Sequence, residues 1–163
     1  MRADRNRFSS IVSEFSQPLY CYVRRIVVSH EDAEDILQET FIKVYRHLWQ
    51  LRDETRLKSW IYRIATNEAL AFIKKRIPLD EGGERLTELL MASEYVDFTR
   101  EAEIKLQKAL NTLSPQQRTV FCLKYYDDMD YAQIAEITGS SADTLKVSYH
   151  NAKERIKKYI DEN

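Results

Sequence analysis

Near the end of the sequence, Lys146 and Asn151 are side chains of the types that read DNA bases: Asn can pair with adenine through two hydrogen bonds, and Lys can donate to guanine. They share an outward face with Val147, His150 and Glu154 once the apolar stripe Leu145, Tyr149, Ala152, Ile156 and Ile160 is turned inward. Lys153, Lys157 and Lys158 stand behind and suit phosphates, which give affinity without sequence information. The solvated face of a helical bundle would carry the same pattern, so periodicity alone leaves both readings open. Elsewhere, Asp35 and Glu39 lie one helical turn apart, as paired carboxylates at a metal would. Yet His30-Glu31-Asp32-Ala33-Glu34 lacks the second His of a zincin, and there is neither a Gly-rich phosphate loop nor a nucleophile elbow. Cys21, Cys122 and three scattered His form no zinc signature. The expectation is a chain without metal, cofactor or enzymatic activity, its cysteines small apolar side chains in a reducing cytoplasm.

The elements that must position these residues are helices. Only three Gly and three Pro occur in 163 residues, too few turn formers for a β sandwich or barrel. The apolar spacing of Phe8, Ile11, Val12, Phe15, Leu19, Tyr22, Val23 and Ile26 predicts a helix over about 8–28, with Pro18 implying a kink or a break. Ser29 and Asp32 form a capping box for the next helix, whose buried stripe is Ala33, Ile36, Leu37, Thr40, Phe41, Val44 and Leu48. A third helix is predicted over 57–76, with Trp60, Arg63, Asn67 and Lys74 along one edge. Later, Ser114-Pro115-Gln116-Gln117 opens a helix, Asp130 and Gln133 open another that Gly139 ends, and Ser140 with Asp143 caps the last. A short helix, a tight turn and a longer helix make a helix-turn-helix, whose second helix enters the major groove.

Pro78 and Gly82-Gly83 mark the one obvious break, so the chain reads as all-α with two small helical domains, 1–77 and 104–163, joined by a flexible linker over 78–103. Within that linker Leu86, Leu89, Leu90 and Val96 have the spacing of a short amphipathic turn. The net charge of -1 averages unlike parts: the first domain is basic by four, the linker acidic by six, and the second domain basic by one. The N-terminus leads to no apolar signal segment, and no apolar run nears the roughly 20 residues that cross a bilayer. The expected location is the cytoplasm, without direct membrane insertion.

Three segments carry a resemblance. Asp32-Ala33-Glu34-Asp35-Ile36-Leu37-Gln38-Glu39-Thr40-Phe41 resembles the region 2 helix of sigma factors, and Trp60-Ile61-Tyr62-Arg63-Ile64-Ala65-Thr66-Asn67 resembles their promoter-melting, -10-reading helix. Leu113-Ser114-Pro115-Gln116-Gln117-Arg118-Thr119-Val120-Phe121, then Tyr131-Ala132-Gln133-Ile134-Ala135 and Thr144-Leu145-Lys146, resembles region 4. Their order, with the acidic linker, is similar to the two-domain extracytoplasmic-function group.

The resemblance implies a transcription initiation factor that binds core RNA polymerase and directs it to promoter DNA. Asp35, Gln38 and Glu39 are implied to dock on the Arg-rich clamp helices of the largest polymerase subunit, and region 4 to meet its flap. Asn67 is implied to help read a base flipped from the -10 element, with Leu51 lining its pocket and Trp60 and Tyr62 holding the opened strand apart. Arg56, Lys58, Arg63, Lys74, Lys75 and Arg76 would meet phosphates. Thr144, Lys146, Val147, His150, Asn151 and Lys153 are implied to read the -35 element. The linker would pass through the polymerase channel with a charge like that of RNA. A further implied partner is an anti-sigma factor, in this family often anchored in the inner membrane.

Two departures stand out. Leu51 occupies a position where many members have Phe, and Ser148 and Asn151 stand where the common pattern has Arg, so the -35 sequence read should not be the family's commonest. Two other readings compete: a free-standing helix-turn-helix regulator that binds operators without polymerase, and a metal-dependent enzyme built on Asp35 and Glu39.

Overall fold

In the computed structural model, residues 2–76 and 101–163 are described, and all their regular structure is helical. The linker expectations for 78–100, including the turn around Leu86 and Leu89, lie outside the described residues.

The first domain holds α1 (Arg2–Val27), α2 (His30–His47) and α3 (Leu57–Arg76), each packed on the other two. α1 buries Ile11, Phe15, Leu19, Tyr22, Val23 and Ile26, the stripe expected from spacing, but it begins at Arg2 and runs through Pro18 without interruption. Proline removes one hydrogen bond to the preceding turn, and here it lies on the exposed side, so the continuous inner face outweighs the loss. α2 is capped by Ser29, whose Oγ accepts the Asp32 amide at 3.4 Å, and buries Ala33, Ile36, Thr40 and Val44. Two short 3₁₀ turns, Leu48–Gln50 and Glu54–Arg56, lead into α3. Asp53 Oδ1 fixes the second by accepting from the Thr55 amide at 3.0 Å and hydroxyl at 2.6 Å. α3 has the bounds expected from the sequence.

The second domain holds α4 (Glu101–Asn111), α5 (Pro115–Tyr125), α6 (Tyr131–Thr138) and α7 (Ala142–Glu162). Ser114 caps α5, and Asp130 with Gln133 closes a reciprocal capping box on α6. Gly139 ends α6 at φ 77°, a conformation that glycine adopts without Cβ strain. The expected cap of α7 shifts by one residue: Ser141, not Ser140, accepts the Thr144 amide, because the helix begins at Ala142 and the Ser140 backbone still belongs to the preceding turn, its amide donating to the Thr138 hydroxyl at 3.3 Å.

The buried apolar residues of both domains form one cluster, from Ile11 to Ile156. α3 packs on α6, and α1 on α5. The seam is sealed by polar groups. The last four carbonyls of a helix lack partners in the helix itself. In α1, Val28 and Ser29 amides take the Arg24 and Val27 carbonyls. The remaining two are taken by the other domain: Gln107 Nε2 donates to the Arg25 carbonyl at 3.2 Å, and Arg118 Nη1 to the Ile26 carbonyl at 2.6 Å. Arg118, only 3% exposed, also donates to the carbonyls of Leu110 at 3.1 Å and Leu113 at 3.2 Å. Its charge faces the negative end of α1. Val28, which follows α1, sits fully buried at φ 78°, a strained conformation for a β-branched residue that the surrounding packing holds.

Candidate nucleic-acid interface

α3 presents two sides. Ile61, Tyr62, Ala65, Thr66 and Ala69 are buried, and Lys58, Arg63, Asn67 and Lys74 are exposed. Arg63, Asn67 and Lys74 thus share the outer side of the helix, whereas Lys58 stands in its first turn towards Asp127 of the second domain. Trp60 is half-buried against the core, and Leu51 is half-buried in the loop before the helix. Beside Asn67, Glu68 is ion-paired with Lys43 of α2, which ties the two helices together at the height of the amide. Arg56 is exposed but faces Glu136 of α6 at 3.4 Å.

Tyr62 is placed elsewhere. It is 1% exposed, tilted against Tyr22, and its hydroxyl donates to Asp127 Oδ1 of the second domain at 2.9 Å. In this arrangement it reaches no strand of DNA. Burial raises its pKa well above the phenol range, with the Asp127 charge adding to the effect. Asp127 has its other oxygen buried without a partner, and desolvation raises its carboxyl pKa, opposed by the Tyr62 hydrogen bond and by the charges of Arg25 and Lys58. Arg25 lies 3.6 Å from the centroid of the Tyr126 ring, the next residue to Asp127, so α1, α3 and the α5–α6 turn meet at one point.

A carboxyl whose folded pKa is raised holds its proton more tightly when packed. Its contribution to packing is complete below the unfolded value and is lost as pH rises through the raised one. The seam should therefore loosen as pH rises above the ordinary carboxylate range, and Asp127→Asn, which keeps an acceptor for Tyr62 without a charge, should abolish that dependence and tighten the seam at neutral pH. Distance between dyes on α2 and α7 across this range measures it; an identical pH response in the variant would remove Asp127 from the seam's energetics.

On α7, Leu145, Ala152 and Ile156 are buried, and Thr144, Lys146, Val147, His150, Asn151 and Lys153 are all exposed. The Thr144 hydroxyl accepts from the Ser141 cap at 2.9 Å. Lys153 Nζ lies 4.9 Å from the Tyr149 ring centroid and Lys146 Nζ 5.9 Å from that of Tyr131, contacts that hold two flexible cations near the helix surface. On α2, Asp35, Gln38 and Glu39 are exposed.

Among the described residues no three His, Cys, Asp or Glu side chains stand together as metal ligands, and no helix is long and apolar enough to cross a membrane. Both cysteines are free, and burial pushes the Cys122 thiol up to about 12. The groups that spacing did not single out are Arg118, Gln107 and Asp127. A polar residue at an otherwise apolar position was the available signal for Arg118, next to Thr119-Val120-Phe121.

The profile of "Sigma-70 region 2" matches residues 11–77 and that of "Sigma-70, region 4" residues 103–156. The ECF RNA polymerase sigma factor SigW of Bacillus subtilis is 29% identical to this chain, over 98% of this chain and 91% of SigW. The ECF RNA polymerase sigma-E factor of Haemophilus influenzae is 27% identical over 98% of this chain and 90% of its own length. In fold, the chain is similar to the sigma factor RpoE of Bartonella quintana, solved in complex with the anti-sigma factor NepR, with a TM-score of 0.78, 23% identity and coverage of 95% of this chain and 97% of that one. It is also similar to CnrH, solved with the cytosolic domain of CnrY, with a TM-score of 0.73, 21% identity and coverage of 98% and 90%.

Proposed function

This chain belongs to the sigma-70 family, as an extracytoplasmic-function sigma factor that directs RNA polymerase to promoters, and from that premise we propose how its surfaces divide the work. Sigma factors are not enzymes; the polymerase supplies the catalysis. The outer side of α3 reads and opens the -10 element: Asn67 meets the Watson–Crick edge of an unstacked base, Leu51 and Trp60 border it, and Lys58, Arg63 and Lys74 hold phosphates. The outer face of α7 lies in the major groove at the -35 element, with Lys146, His150 and Asn151 towards base edges, Val147 towards a thymine methyl, and Thr144 and Lys153 at the backbone. Asp35, Gln38 and Glu39 dock on the clamp helices of the largest subunit, region 4 meets the flap, and the acidic linker follows the RNA channel in the cytoplasm where the polymerase works. The observation that carries this reading is the exposure of Arg63, Asn67 and Lys74 on one side of a helix whose opposite side is buried.

The packed arrangement cannot serve both elements at once. Positions 25 base pairs apart are separated by about 85 Å at 3.4 Å per pair, whereas a domain of this size has a radius of gyration of about 11 Å. The domains must part on the promoter, and parting also frees Tyr62. An anti-sigma factor fits the packed form, since the sigma factor solved with the anti-sigma factor NepR is similar to nearly the whole of this chain.

Asn67→Ala should slow open-complex formation at the chain's own promoter roughly 5- to 150-fold, the equivalent of about 1–3 kcal/mol for a two-bond base contact, while polymerase binding stays unchanged. Permanganate footprinting of the melted strand measures the first and core titration the second. Normal melting would assign the base contact to another residue.

A further inference from the structure

Two lysines on the outer face of α7 rest on tyrosine rings. Lys153 Nζ lies 4.9 Å from the centroid of Tyr149, four residues back on the same helix, and Lys146 Nζ lies 5.9 Å from that of Tyr131, at the start of α6. Both rings are themselves held. Tyr149 stacks on Phe121 of α5 at 5.8 Å, and Phe121 is only 4% exposed, so the ring is backed by the core. Tyr131 is half-buried against the core cluster and follows Asp130 directly, whose capping box fixes the first turn of α6. Lys124 of α5 lies 4.9 Å from the same ring. Two ammonium groups at one ring repel each other, so the half-buried Lys124 leaves the outer position to the exposed Lys146.

The value of such contacts follows from the residues that α7 lacks. Ser148 and Asn151 stand where the resemblance leads one to expect arginine, so Lys146 and Lys153 are the cations left on this face. An arginine presents a rigid planar fork. A lysine presents a point charge on a flexible four-carbon stem, and it loses more freedom for each bond it makes. A ring beside the ammonium confines the stem beforehand, and a group ordered before binding gives up less entropy on binding. The contact does not use up the charge. An ammonium has three donors, and one turned to the ring leaves the others for a phosphate or a guanine.

We propose that Tyr131 and Tyr149 are positioning residues for reading of the -35 element: each braces one lysine of α7, and together they supply the stiffness that arginine would have brought. This rests on the assignment of α7 to the major groove and deepens it. Tyr149 serves Lys153 and the phosphate backbone, so it sets affinity. Tyr131 serves Lys146 and a base edge, so it sets discrimination.

The test is a pair of double-mutant cycles, read as binding of the holoenzyme, assembled from core polymerase and the full chain, to its own promoter duplex over a range of salt. Tyr149→Leu keeps apolar bulk over Phe121 and removes the ring. It should weaken binding about 2- to 5-fold, the worth of an exposed contact between a cation and a ring, with the salt dependence unchanged because Lys153 is still charged. Lys153→Ala should lower the salt slope by about one, and in that background Tyr149→Leu should cost nothing more. Tyr149→Phe, which keeps the ring, should stay within about twofold of wild type. Tyr131→Leu should lose about 2- to 5-fold of discrimination at one -35 base pair, and none in the Lys146→Ala background. The two rings stand on different helices, so either cycle decides the matter if a leucine variant of the other unfolds. A leucine loss that persists undiminished in the lysine-free background overturns the brace, since the ring would then act by itself. A loss in the phenylalanine variants as large as in the leucine variants overturns it too, in favour of the hydroxyl. If Lys146→Ala and Lys153→Ala leave both binding and -35 preference untouched, the assignment of α7 falls, and the brace with it.

Discussion

Arg118→Ala should destabilise the protein by about 2–5 kcal/mol, since each buried acceptor left without its donor costs about 1–3 kcal/mol. Two backbone carbonyls lose the donor that reaches them, that of Leu113 within the second domain and that of Ile26 across the seam, while that of Leu110 loses one donor and keeps the Leu113 amide. All three residues are buried, so water does not readily replace the guanidinium. Each bond to a charged donor is worth about 1.5–3 kcal/mol, and the sum is partly offset because the charge itself no longer has to be desolvated. That desolvation already lowers the Arg118 pKa from its ordinary value. Arg118→Lys keeps the charge but cannot form three diverging bonds, so it should recover less than half of the loss. Urea unfolding gives the stability, and X-ray scattering gives the separation of the domains. A loss below about 1 kcal/mol would mean that other groups reach those carbonyls.

Asp35→Arg with Gln38→Ala should weaken holoenzyme assembly by about 2–4 kcal/mol, or roughly 30- to 1000-fold, within the span measured for close charge pairs at interfaces. The variant removes one attraction, adds one repulsion against an Arg-rich partner and deletes an amide. Its own fold should hardly change. Both side chains are exposed, and Asp35 is already beyond the first turn of α2, where the helix dipole is weak. The deficit should shrink with added salt, as exposed charges are screened over about 10 Å at 0.1 M. Titration of core polymerase at two salt concentrations measures both effects. Wild-type affinity at low salt would place the docking surface on another helix.

Much of this architecture was legible because the punctuation is local. Ser114-Pro115, the Asp130/Gln133 pair and Gly139 act within four residues of themselves, and each sits where its chemistry requires. α3 was legible from about Leu57 to Arg76 because apolar residues recur at helical spacing along it, although Ser59 and Thr66 share its buried side. Pro18 misled, since a helix-breaking residue gives its warning without saying which side it will face. Ser140 and Ser141 are equally good caps in sequence, and only the turn after Gly139 chooses between them.

The exposed face of α7, Asn151 included, followed from the stripe that opposes it, whereas Asn67 was singled out by the resemblance. Tyr62 drew its role from the resemblance, and its hydrogen bond to a residue 65 positions away leaves no trace in local spacing. The same holds for Arg118 and its partner 92 positions back. Long-range polar pairs leave no spacing in the sequence. On α2, Ile42 and Tyr45 lie outside the stripe read from the sequence and are exposed, as is Trp49 beyond the helix.

The end of α1 has a consequence for how such chains can be recombined. The family motifs fall into two blocks, which invites exchange of one block between relatives. Here the cut would separate a helix from its own terminator, because Gln107 and Arg118 close the Arg25 and Ile26 carbonyls from the far side of the linker. A transplanted first domain would fray at Val27 and relax the strained Val28, and a transplanted second domain would carry an arginine with one carbonyl too few. The unit that can be inherited intact is therefore the pair, although the sequence advertises two parts.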